Sequence, residues 1–384
     1  MISCFTFFKR VDLISVVAVE IEADIENNIA DNVENILGDI DSNELDDFLI
    51  HDSGFSFFDA NNFKDLVVKV LNGDYFAEYD SLKDFVFNVF SENISSLLSL
   101  FLTFLVIVVL FELFKNVSPE KYSGLQKIVS VVFLLLTLFL LVVIFKDLSE
   151  TVTSLIEKMF SFAKILFPIL LSLVLLSGAS GSYAVYGGLS VFLLDAGMKL
   201  FIYFLLPISV SIFILSIFGA SFSNKRLEKM VDIFKVVFKY SIVGCFILFG
   251  LISTVNLVVS GVKDGFGLKL TKYALKNYIP ILGGYISDGF DYVRSCSVLI
   301  KNAFGLCGIV LIVFMIVKPM IMYASYMFMF KMLSLFSSFI GTSFYVDVFD
   351  TASKSVSYFI TVLMGVFLIF VVFLFMIIVS VSVV

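Results

Sequence analysis

Asp195 and Lys199 stand four residues apart inside the long apolar run 187–219. On a helix they share a face and can pair, which lowers the cost of holding either charge away from water. Such a pair can serve as a proton or ion relay, or as a neutralised pair that sets helix register. The corresponding places in the second copy of a repeat described below hold Cys307 and Leu311. A relay built by duplication would occur twice, so register is the favoured reading.

The other reactive side chains are sparse. Glu112 lies three residues from Lys115 near the end of an apolar segment, where local pairing explains it. His51 is the single histidine, with no second histidine or cysteine near it, and makes no zinc set. Cys4, Cys245, Cys296 and Cys307 are scattered and form no CxxC pair. The small-residue stretch 177–188 lacks the Lys-Ser/Thr ending of a phosphate-binding loop, and Gly261 to Gly267 fails the same test. Close approach of helices explains the small residues better. No metal, cofactor or catalytic set is expected. Pro207 and Pro319 fall inside long apolar segments, where each removes a backbone hydrogen bond and predicts a kink, either for packing or for a gating hinge.

These residues need elements to carry them, and composition decides which. Of 384 residues, 60% are hydrophobic and 15% charged, with 47 Phe and no Trp; mean hydropathy is +1.04. Soluble domains run about 45–50% apolar and about 25% charged. A water-soluble enzyme is excluded, and so is a nucleic-acid binder, since 26 Lys and Arg face 33 Asp and Glu. An all-α polytopic membrane protein remains. Residues 1–92 hold 5 basic and 20 acidic residues, against 21 and 13 in the rest. An acidic, water-facing head therefore precedes a membrane domain. Within the head, 1–23 is a poor signal-like segment, and 24–92 carries amphipathic periodicity over 24–50, 61–71 and 80–92.

The membrane domain, 93–384, contains six apolar segments: 94–114, 128–145, 187–219, 240–262, 303–330 and 357–383. About 20 apolar residues cross a hydrocarbon core of about 30 Å. Basic residues cluster in 115–127 and 221–239, which places both on the cytoplasmic side. An even number of crossings must separate them, so 165–177 cannot be a full span if 187–219 is one. Prolines support this. Lys127, Pro168 and Pro207 are spaced 41 and 39 residues apart, and Lys239, Pro280 and Pro319 repeat that spacing at an offset of 112. This predicts a duplication, about 115–226 and 227–338, followed by the final span 357–383. Each copy would hold a re-entrant or interfacial hairpin opened by Pro168 or Pro280, with the paired hairpins meeting at the bundle centre. Six spans, two hairpins and both termini outside follow.

The segment 259–312 resembles the stage III sporulation protein AE family of endospore-forming bacteria. The matching residues are the turn Val262-x-Asp264-Gly265, Leu268-x-x-x-Lys272, Asn277-Tyr278-Ile279-Pro280-Ile281-Leu282-Gly283, Asp288, and Leu299-Ile300-Lys301-Asn302-x-x-Gly305. Phe167-Pro168-Ile169-Leu170-Leu171 followed by Ser177-Gly178, and Asp350-x-x-x-Lys354-Ser355-Val356, add to it. The likeness covers about 90 to 384. It implies a non-enzymatic, multi-pass subunit of the channel or secretion-like complex between mother cell and forespore, seated in the mother-cell membrane around the forespore. Its implied partners are the lipid bilayer, sister membrane and ring-forming subunits and a separate ATPase, with no nucleic acid. Family members usually begin with a cleavable signal peptide, from which this sequence departs. A secondary transporter is the alternative, suggested by the duplication, the hairpins and the Asp195–Lys199 pair.

Overall fold

The computed structural model describes residues 43, 45, 46, 62–71, 79–117, 123–222, 225–278 and 283–380. Every element among them is helical: α1 Phe63–Leu71, α2 Tyr79–Val117, α3 Ser123–Leu176, α4 Ser180–Leu200, α5 Leu206–Phe222, α6 Lys225–Tyr278, α7 Gly283–Ile340 and α8 Ser343–Ser380. The expected signal-like segment, and nearly all of the periodic stretch 24–50, lie outside the described residues. Periodicity over 61–71 corresponds to α1, and that over 80–92 to the first turns of α2.

Six stretches are long and apolar enough to cross a membrane: Val89–Asn116, Ile128–Leu176, Asp195–Ser221, Arg226–Gly265, Asp291–Ile340 and Ser343–Ser380. Each contains most or all of one of the expected spans. What the hydropathy windows miss is length. With 54 residues each, α3 and α6 extend about 80 Å at 1.5 Å per residue, well over twice the hydrocarbon core.

That length corrects the hairpin expectation. The segment 165–177 is not a re-entrant hairpin opened at Pro168, because α3 runs unbroken through Pro168 to Leu176. Proline costs a helix one hydrogen bond, here the one that the Lys164 carbonyl would accept. Lys164 and Pro168 are exposed, while the flanking Leu166, Phe167 and Leu170 are buried and hold the turn by packing. The chain reverses later, at Gly178, where φ is +78°. There the Ala179 N–H donates to the Val174 carbonyl at 3.3 Å and the Gly178 N–H to Leu175 at 2.9 Å. Both bonds satisfy carbonyls at the helix end, and glycine adopts the left-handed conformation without Cβ strain. Gly341, φ +91°, repeats the device between α7 and α8.

Pro280 lies outside the described residues, but most of the polar stretch after it does not. Residues 283–302 are the opening turns of α7. Polarity there, within a helix of 58 residues, brings no loss of helical backbone. The family-like turn Val262-x-Asp264-Gly265 is likewise helical, inside α6. The proline offset also fails to align equivalent elements. Helices α3 and α6 begin 102 residues apart (225 − 123) and end 102 apart (278 − 176). A shift of 112 would set the α3–α4 turn against the interior of α7.

At Pro207 the helical winding changes. Five residues of wider π-type turn, Phe201–Leu205, separate α4 from α5 immediately before it. Widening accommodates a residue that cannot donate its backbone hydrogen bond. Pro319 sits inside the continuous α7.

Aromatic side chains fill the bundle. Phe145 of α3 stacks on Phe213 of α5, with Phe330 of α7 and Phe359 of α8 at centroid distances of 6.1 and 5.9 Å. Phe104 of α2 meets Phe349 at 5.4 Å, and Phe160 meets Phe370 at 4.8 Å. Such pairs add about 0.5–1.5 kcal/mol beyond their buried area. Tyr323 brings a hydroxyl into this core and donates it to the Leu148 carbonyl at 2.6 Å. The turns joining α2 to α3, α5 to α6 and α7 to α8 lie at one end of the bundle. There Phe111 touches both Phe133 and Tyr345, and Phe238 touches Tyr358.

Candidate functional site

Two charged side chains among the described residues are buried: Asp264 at 1% exposure and Lys301 at 0%. Both belong to the family-like segment, and each lies against the end of a neighbouring helix. Their surroundings follow from what those ends lack.

Helix α4 opens with Ala179 at its N-cap position, a residue with no side-chain oxygen to offer. The first backbone N–H groups of a helix have no partner within it. Asp264, reaching across from α6, supplies one. The Ser182 N–H donates to its two carboxylate oxygens at 3.0 and 3.2 Å, and the Ser182 hydroxyl donates to Oδ2. A carboxylate at a helix N-terminus is further stabilised by the aligned peptide dipoles. Gly181 makes the approach possible: a Cβ there would lie 2.4 Å from Lys263 Cβ and 3.2 Å from the Asp264 backbone nitrogen. One turn further on, Tyr186 is buried beside Ser260 and Asp264. Burial, reinforced by the Asp264 charge, raises its phenol above the ordinary value.

Lys301 is the mirror case. Its Nζ donates at 2.7 Å to the carbonyl of Ile378, in the last turn of α8. A cation at a helix C-terminus meets the negative end of the dipole. Gly305, one turn along α7, has no side chain to push Ile378 away; a Cβ would lie 2.5 Å from Ile378 Cγ1. Asn302 follows Lys301, and its buried Oδ1 has no hydrogen-bond partner among the described residues.

A third cluster ties the base of α7 to α8. Asp350 accepts from Lys354 at 2.6 Å and from Lys331 across the helix pair. Asp350 and Lys354 carry family-like positions; Lys331 had no signal in the sequence.

The remaining candidates are dispersed. Asp195 and Lys199 do pair, at 2.7 Å, but on the outside of α4 with side-chain exposures of 55% and 64%. The Asp195→Asn, Lys199→Gln double variant should therefore leave the thermal midpoint unchanged; a clear fall would restore the reading of a pair that sets helix register. Gly265 is half-buried on α6 beside Asp264, and Gly283 opens α7. The Asp288 side chain lies outside the described residues. Pro168, Pro207 and Pro319 stand on α3, α5 and α7 and form no common site. Among the described residues no group of three metal-ligating side chains forms.

What the structure joins is Asp264 with the small-residue stretch 177–188, and Lys301 with the end of α8. Sequence reasoning missed Ser182 as a partner, and the missing side-chain cap at Ala179 is the signal that could have found it.

Comparison with known proteins adds the identity. Residues 61–383 match the family described as stage III sporulation protein AE. A curated relative, the stage III sporulation protein AE of Bacillus subtilis (strain 168), is 25% identical over 186 residues. That alignment spans 48% of this chain and 47% of the relative, about half the length of each. No solved structure matches the chain. The family match covers every helix from α1 to α8, with both buried charges inside it, and the chain belongs to the stage III sporulation protein AE family.

Proposed function

We propose that this protein is a non-enzymatic, integral membrane subunit of the channel or secretion-like complex that links mother cell and forespore during endospore development. The observation that carries the reading is the unbroken family match over 61–383, which takes in all six apolar helices. The two buried charges support a scaffold role: each closes the end of a neighbouring helix and so fixes how α4 meets α6 and how α8 meets α7. We place the protein in the mother-cell membrane around the forespore, with the basic ends of α3 and α6 cytoplasmic and α1 outside. Its partners in this reading are the sister membrane and ring-forming subunits and the separate ATPase.

Co-purification of the tagged, full-length chain from sporulating cells tests the proposal. Sister subunits of the same operon should be enriched with it, and its deletion should reduce late forespore gene expression. A chain that purifies without them, in cells whose forespore expression is normal, would overturn it.

A further inference from the structure

We infer that the opening turns of α6, residues 225–240, form a docking surface for anionic phospholipid headgroups. The segment reads as a cytoplasmic loop in the sequence, and the structure makes it the continuous start of a 54-residue helix. The apolar stretch it belongs to, Arg226–Gly265, has 40 residues and so a length of about 60 Å, twice the hydrocarbon core. Part of it must lie outside the core, and the charges identify which part. Arg226, Glu228, Lys229, Asp232, Lys235 and Lys239 all precede residue 240, with none between 240 and 262.

These turns divide their surface three ways. Val231 and Phe238 face the bundle and are buried. Met230, Ile233, Val236, Val237 and Tyr240 form a second strip, 41–69% exposed, centred about 140° away on a helical projection. Glu228, Asp232, Lys235 and Lys239 lie on the remaining side, two acids against two bases with Lys235 and Asp232 paired at 3.8 Å, while Arg226 and Lys229 continue the arc of the apolar strip toward the start of the helix. A helix whose exposed apolar strip ends in Arg226 and Lys229 fits the headgroup boundary, where the apolar residues enter the acyl region and the two cations meet phosphates. The long lysine stems extend that reach. Tyr240, at the edge of the charge-free run, takes the interfacial position that amphipathic rings prefer.

The surroundings favour an anionic surface. Lys331 and Lys354, whose side chains are 55% and 72% exposed, share one carboxylate at the same end of the bundle. Counting 225–240 with that cluster gives seven cations, Lys225, Arg226, Lys229, Lys235, Lys239, Lys331 and Lys354, against three acids, Glu228, Asp232 and Asp350.

The full-length protein, reconstituted in nanodiscs of phosphatidylcholine with or without about one-third phosphatidylglycerol, supplies the test. Lipid retained after detergent extraction would be counted by native mass spectrometry. The native chain should retain phosphatidylglycerol over phosphatidylcholine by about tenfold or more, because each cation near the surface multiplies anionic-lipid affinity about fivefold. The quadruple variant R226Q/K229Q/K235Q/K239Q should lose that preference. Since removing these cations can also disturb insertion, E228Q/D232Q is the second arm: it keeps every cation and should strengthen the preference severalfold. Equal retention of the two lipids by the native chain, an undiminished preference in the quadruple variant, or no gain in E228Q/D232Q would each overturn the inference.

Discussion

Gly181→Ala should unfold the contact between α4 and α6 far more than its single added methyl suggests. The new Cβ would lie 2.4 Å from Lys263 Cβ, 2.8 Å from Asp264 Oδ1 and 3.2 Å from the Asp264 backbone nitrogen. Two of those three atoms belong to, or are fixed to, the α6 backbone, so no side chain can swing away. The helices must separate, and overpacking of this kind costs about 1–3 kcal/mol. Separation also breaks the hydrogen bonds of Asp264 to Ser182. That leaves a buried N–H and a buried carboxylate unpaired, at about 1–3 kcal/mol or more. Gly188→Ala, two residues from Tyr186 on the same helix, supplies the control, because a Cβ there meets nothing within 4 Å. Thermal unfolding followed by far-UV circular dichroism suits a chain without tryptophan. The midpoint of Gly181→Ala should fall by several degrees and that of Gly188→Ala should not. Equal midpoints would remove the close approach from the account. A double-mutant cycle with Asp264→Ala then asks whether steric and electrostatic effects are one contact: their coupling should reach about 0.5–3 kcal/mol, as for residues sharing a network.

The contrast between what was and was not legible in the sequence follows from the same helices. Six crossings were legible because twenty apolar residues in a row have few other uses. The hairpins were not there, because the sequence argument ended each helix where lipid ends. Residues 146–164 and 283–302 are too polar for a hydrocarbon core, yet a helix outside lipid satisfies its backbone just as well and continues. Pro168 misled for a related reason: a proline on an exposed face, with Leu166 and Phe167 anchored beside it, does not end a helix. Of the site, Asp264 and Lys301 were legible as members of a family-like segment. Their partners were not. Ser182 lies 82 residues from Asp264, and the partner of Lys301 is a backbone carbonyl 77 residues away, which leaves no mark in any side chain.

Lys301 itself allows stability and function to be separated. Lys301→Ala removes four methylenes and an ammonium from a site of 0% exposure. It leaves a cavity and removes the hydrogen bond to the Ile378 carbonyl. Truncating a long buried side chain costs about 2–5 kcal/mol, and the lost charge-assisted hydrogen bond adds about 1.5–3 kcal/mol, so this variant should fail to accumulate. Lys301→Met fills nearly the same volume without the charge. It also loses the hydrogen bond to Ile378, but it recovers the desolvation cost of a buried cation, which is several kcal/mol. Its thermal midpoint should therefore stay near that of the native chain or exceed it. Sporulation of the two variants then carries different information. If Lys301→Met accumulates and sporulates normally, the lysine is a filler whose charge does no more than cap α8. If it accumulates at native levels and sporulation fails, the ammonium is needed for the protein's role, since the fold has survived without it. A Lys301→Met protein that is absent from the membrane would instead show that the bond to Ile378 holds α8 in place, and that its worth exceeds the cost of burying the charge.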